Sequence, residues 1–69
     1  MDEHVYKHVR LTGTSDTSLE EAVQAAVTRA GKTLHNLRWF QVVETRGHIK
    51  DGTVDQWQVT VDIGFKVDE

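Results

Sequence analysis

The sequence predicts an α+β fold of order β-α-β-β, a three-stranded antiparallel/mixed sheet packed on one helix. Three observations carry that prediction. From Trp57 to Val67 apolar and polar residues alternate without a break. Behind a Ser18/Glu21 capping pair, residues 19–34 repeat small and branched apolar side chains at helical spacing. An Asp51-Gly52 turn then links that last strand to a preceding run dense in Trp, Phe, Val and Thr.

The elements follow in order. Val5–Thr12 reads as the first strand, with Val5, Val9 and Leu11 set against Tyr6, His8 and Arg10, and Lys7 the one break. Gly13-Thr14-Ser15-Asp16 has turn chemistry. Ser18 is the expected N-cap: its hydroxyl accepts from the third helical N–H while Glu21 reaches back, and Glu20 and Glu21 suit the positive end of the dipole. Leu19, Ala22, Val23, Ala26, Val27, Ala30 and Leu34 form the buried stripe, and its alanines predict a close approach to the sheet. The helix should fade over Thr33–Asn36. Leu37–Ile49 is the second strand, in which Gly47 marks a bulge or bend. Lys50–Thr53 is the hairpin turn and Val54–Val67 the third strand.

Connectivity then limits topology. A strand-helix-strand crossover is right-handed and makes the first two strands parallel. The hairpin sets the third strand antiparallel to the second, and the third fills the gap, giving order 1-3-2. Its Trp57 face meets the helix. The other face carries Gln56, Gln58 and Thr60, polar but uncharged, which suits a hydrogen-bonding site or a wet subunit contact. If Phe40 and Val42 meet the helix, Trp39 and Gln41 look outward beside those glutamines. An exposed indole next to amides is a stacking platform with a polar reader. Packing at an interface is the bland alternative.

Composition removes other classes. The chain has 69 residues, no Cys and no Pro, with eight Lys+Arg against eleven Asp+Glu for a net charge of −3. That length is read as one domain, and a core so small is usually reinforced by a disulfide, a metal or a partner subunit. Without Cys there is no disulfide. A zinc site is disfavoured, because His4 and His8 in a strand stand roughly 13 Å apart, and His35 and His48 fall in different elements. Self-association is what remains. No run of about 18 apolar residues and no basic-then-apolar leader occurs, so neither membrane span nor signal peptide is expected, and a cytoplasmic location is. The mild acidity argues against nucleic acid as partner. Gly31-Lys32-Thr33 resembles the end of a P-loop, but Ala26 replaces the required glycine and the segment ends a helix. Ser15 and Ser18 are explained by turn and cap, and Glu20-Glu21 and Asp68-Glu69 by cap and tail. No enzyme is expected, since no activated nucleophile or poised base can be named.

Three segments carry a resemblance: LTGTS at Leu11–Ser15, LRWFQVVETRG at Leu37–Gly47, and WQVTVDIGFKVDE at Trp57–Glu69. Together they make the sequence similar to the dodecins, small flavin-binding proteins of β-α-β-β fold. The resemblance implies a hollow homododecamer in which flavin pairs stack between tryptophans at two-fold contacts. It implies FMN or riboflavin storage and sequestration, protection from flavin photochemistry, and no catalytic turnover. Trp39 falls on the family's stacking tryptophan, and Gln58 on the glutamine that meets the flavin's pyrimidine edge. Arg46 matches an arginine of bacterial members that hold FMN, which assigns it to the phosphate. Lys66 stands where many bacterial members have arginine, keeping the charge but losing bidentate geometry. His48 falls near the ribityl and aperture region. Some bacterial members also bind coenzyme A on the outer surface. A different class is a small obligate oligomer acting as a structural or adaptor module without cofactor, with Trp39 buried at a contact. A flavin-dependent redox enzyme is a third, disfavoured because a stacked flavin hinders substrate access.

Overall fold

The computed structural model describes residues 3–68, so Glu69 of the expected acidic tail lies outside the described residues. Strand β1 spans Tyr6–Ser15, helix α1 Leu19–Ala30, β2 Leu37–Lys50 and β3 Thr53–Lys66. The sheet order is β1-β3-β2. Both outer strands run antiparallel to β3, and so parallel to one another. The expected α+β architecture and strand order are those observed.

Ala22, Ala26 and Ala30 of α1 press on Val59, Val61 and Ile63 of β3, and all six are buried. Burying each large aliphatic side chain contributes roughly 2 kcal/mol, and the alanines let the helix come close enough to do it. Gly13 completes that fit. It does not turn the chain, as its sequence context predicts; β1 continues through Gly13, Thr14 and Ser15, paired with Val59, Gln58 and Trp57. A Cβ at Gly13 would overlap the Ala22 carbonyl oxygen and stand 3.1 Å from the Ala26 Cβ. The glycine is a seat for the helix.

The helix start differs in one bond. The Ser18 Oγ accepts from the Glu21 N–H at 3.1 Å, as expected. The Ser18 N–H, however, donates to the Ser15 Oγ at 3.3 Å, and the Thr17 N–H does so at 2.9 Å. Ser15 at the end of β1 reaches those donors first and leaves Glu21 exposed. At the other end Gly31 stays right-handed (φ −67°), and Asn36 takes the left-handed conformation (φ 63°) that aims the chain into β2.

Strand β2 departs most from simple alternation. Arg38 and Val43 are extra residues opposite β3, and on β3 Asp55 is extra between Gln56 and Val54. Gly47 is no bulge; it pairs regularly with Trp57, and the irregularity falls one residue later. Asp51 and Gly52 have φ of 53° and 76°, the pair of left-handed residues that a tight type I′ hairpin requires.

Helix α1 packs on β1 and β3. Phe40, Val42, Ile49 and Val54 lie on the helix side of the sheet, yet they are 51%, 44%, 67% and 44% exposed. The expected meeting of Phe40 and Val42 with the helix is therefore incomplete: they share its layer without being covered. The molecule extends 56 Å along its longest axis, with a radius of gyration of 14.3 Å. A compact chain of this length would have about 11 Å.

Candidate functional site

Pairing places one row of side chains on the face away from the helix. It comprises Tyr6, His8, Arg10, Thr12 and Thr14 on β1, and the even-numbered residues from Gln56 to Lys66 on β3. On β2, Trp39 and Gln41 precede the Val43 bulge, and Glu44, Arg46 and His48 follow it. Unbroken alternation would send Arg46 and His48 to the helix side. The bulge changes parity and brings them onto the same face as Trp39.

At one end of that face the Trp39 indole lies across Gly64, where a Cβ would overlap the ring. Tyr6 meets the indole at a centroid distance of 5.0 Å and an interplanar angle of 60°, and His8 at 5.6 Å and 73°. Both are edge-type contacts, the favoured geometry for aromatic quadrupoles. The indole is thus held by a backbone beneath and by rings at its sides, and it remains 40% exposed.

At the other end lies a polar chain. The Arg46 Nε donates to the Gln58 Oε1 at 2.7 Å, and the Gln58 Nε2 donates to the Gln56 Oε1 at 2.8 Å. These two bonds fix which way the Gln58 amide points and leave its second N–H free. The His48 Nδ1 is 2.7 Å from the Asp55 Oδ1, a contact made possible because Asp55 is the extra residue of its bulge. Between the two ends, Arg10 grips Asp62 with Nε and Nη2 at 2.7 and 3.0 Å. That hydrogen-bonded pairing holds the Asp62 carboxyl below the usual carboxylate range, and Asp62 in turn raises Arg10. Thr12 and Thr60 share a hydrogen bond at 2.8 Å.

The site residues expected from sequence therefore separate into two groups. Arg46, Gln58 and His48 stand together. Trp39 is opposite Gly64, six β3 residues from Gln58, which is roughly 20 Å along a strand. Lys66 lies opposite Tyr6, beyond the Trp39 end and farther still from Arg46.

A family model described as Dodecin matches residues 5–68. The chain belongs to the dodecin family. It is 51% identical to a dodecin of Thermus thermophilus over 65 residues, 94% of each chain. The solved dodecin of Streptomyces coelicolor superposes with a TM-score of 0.94 at 45% identity, covering 100% of this chain and 99% of that one. More distant is a calcium dodecin of Mycobacterium tuberculosis, 30% identical over 63 residues, 91% of this chain and 89% of that one. In the present dodecin, no three His, Asp or Glu side chains are grouped for a metal among the described residues. Among the same residues, no helix is long and apolar enough to cross a membrane.

Sequence reasoning missed the supports of this dodecin's site. Tyr6 and His8 were visible only as the polar face of the first strand, and Gly64 as one more position of the third. Their meeting at Trp39 depends on inter-strand register. The available signal was Gly64 itself, a gap in an otherwise filled strand.

Proposed function

We propose that the chain assembles as a cytoplasmic homododecamer that binds, stores and sequesters FMN or riboflavin, without catalytic turnover. One observation carries this reading: a half-exposed indole, seated on glycine and braced at its edges, on a face whose glutamine is already oriented. An indole so held offers a π surface at little ordering cost, and base-like stacking contributes roughly 1–3 kcal/mol per contact. The Gln58 amide, with its second N–H free, complements the C=O and N–H edge of an isoalloxazine. The separation of the two groups also has a consequence. Three fused six-membered rings cover only about half of roughly 20 Å, so Trp39 and Gln58 of one chain cannot both meet one flavin. A single site then needs Trp39 from one protomer and the Gln58 cluster from another, which agrees with pairs of flavins at two-fold contacts.

Arg46 spends its Nε on Gln58, which leaves its terminal nitrogens for the FMN phosphate. His48, anchored by Asp55, lines the ribityl side. Lys66 supplies charge near the indole end. Riboflavin titration tests the reading: fluorescence should be strongly quenched at micromolar flavin, and Trp39→Ala should abolish most of that quenching. Absence of quenching in the unsubstituted protein would sink it. Mass spectrometry of ligand released from native protein identifies the flavin and any accompanying coenzyme A.

A further inference from the structure

Among the groups that brace Trp39, His8 is the one whose side-chain class changes charge between pH 5 and 8. Its imidazole centroid is 5.6 Å from the indole's in an edge-type contact, close enough for a charge on one ring to act on the other. We propose that His8 makes ring stacking on Trp39 proton-dependent, its imidazolium form weakening the indole as an electron donor and loosening a stacked flavin as pH falls. The proposal rests on the flavin reading for its ligand, but not for the coupling between the two rings.

The physical argument has two parts. A stacked isoalloxazine is electron-poor and draws on the indole's π density. An imidazolium beside the indole draws on the same density, so the two compete. Quenching of flavin emission by electron donation requires a positive charge to develop on the indole, and an adjacent cation opposes that. Falling pH should therefore both weaken binding and brighten what stays bound.

His8 is the histidine in direct contact with the indole: His4 meets Tyr6 instead, at 6.4 Å, and His48 belongs to the Gln58 end, where it is paired with Asp55. On the strand of His8, Arg10 is a fixed cation, and on β3 that cation is paired with Asp62. Arg10 holds the Asp62 carboxyl below its ordinary range, and His8 adds to that lowering, so Asp62 stays ionised across this window. Lys66 faces the same end from β3, and from β2 come Trp39 and the neutral Gln41. Helix α1 lies on the other side of the sheet.

Two measurements test this. Riboflavin, which carries no phosphate, is titrated at pH 8 and pH 5 against the unsubstituted protein, His8→Gln and His8→Lys. Affinity should fall roughly three-fold on acidification, the scale of an exposed charge interaction. The fall should be smaller in His8→Gln by that factor, and His8→Lys at pH 8 should bind more weakly than the unsubstituted protein at pH 8. A pH dependence undiminished in His8→Gln overturns the proposal, whereas a remainder that disappears in His8→Gln/His48→Gln belongs to the ribityl side. The second measurement uses ligand-free protein, in which tryptophan emission should drop on acidification. That drop should vanish in both His8→Gln and Trp39→Phe. No drop, or one that survives either substitution, overturns the proposal even if flavin binds. Failure of riboflavin to bind at any pH counts against the flavin reading alone.

Discussion

At Gly64 a hydrogen atom is what lets an indole lie on the sheet. A Cβ there would overlap the Trp39 ring, but the ring can swing away by rotating about its own side-chain bonds. Gly64→Ala should therefore cost about 1–3 kcal/mol, because the displaced ring forfeits its edge contacts with Tyr6 and His8. The stacking platform should be lost with them. Near-ultraviolet circular dichroism reads the displaced indole, and riboflavin quenching reads the lost platform; retention of both signals would show that the ring does not depend on its seat. Arg46 makes a comparable argument in polar terms. Its bond to the Gln58 Oε1 at 2.7 Å orients the amide, and an exposed charge-assisted bond of this kind contributes up to about 1 kcal/mol. Arg46→Ala should then weaken riboflavin several-fold by freeing Gln58 to rotate, and FMN more by removing a phosphate partner as well. Parallel calorimetric titrations with the two ligands separate these effects, and equal losses would leave Arg46 with the orienting role alone.

Secondary-structure elements were legible where one residue's period decided its face. The alternation from Trp57 to Val67 gave the buried row of β3 directly, and the alanine stripe gave the helix face and its closeness. Strand β2 was less legible, because Val42-Val43 breaks parity with two residues of the same apolar type. Nothing in composition separates a bulged valine from a paired one, yet that bulge decides whether Arg46 shares a face with Trp39. Gly13 misled for a related reason. Its neighbours Thr14, Ser15 and Asp16 have turn chemistry, and only the packed helix reveals that the absent Cβ matters more than backbone freedom. Gly13→Ala tests that distinction. The group in the way is the backbone carbonyl of Ala22, with Ala26 behind it, so the helix itself must shift. The expected cost is about 1–3 kcal/mol, measured by urea unfolding at fixed protein concentration. A neutral substitution would mean that α1 slides along the sheet without loss of its alanine contacts.

A lone chain leaves much of its hairpin bare. Phe40, Val42, Ile49 and Val54 form an apolar stripe on the helix side of β2 and β3, in line with a core they do not join. The radius of gyration of 14.3 Å, against about 11 Å for a compact chain of this size, measures the same deficit in shape. The small core of alanines and three aliphatic residues is what one helix can cover. The proposed assembly supplies the missing cover, and the proposed flavin site supplies a second reason for it, since on that reading Trp39 and Gln58 from different chains close on one ring. Phe40→Asp tests both at once. Phe40 is 51% exposed in one chain, so a carboxylate there is solvated and harmless to an isolated protomer. Buried against a neighbour it would be an unpaired charge, which costs several kcal/mol. Twelve copies of a 7.9 kDa chain amount to about 95 kDa, and sedimentation should show that mass for the unsubstituted protein and a much smaller one for Phe40→Asp. Flavin quenching should disappear together with the large species even though Trp39 and Gln58 are untouched. A dissociated protein that still quenched flavin would show that one chain suffices for the site, and an intact large species would show that the apolar stripe is not what joins the copies.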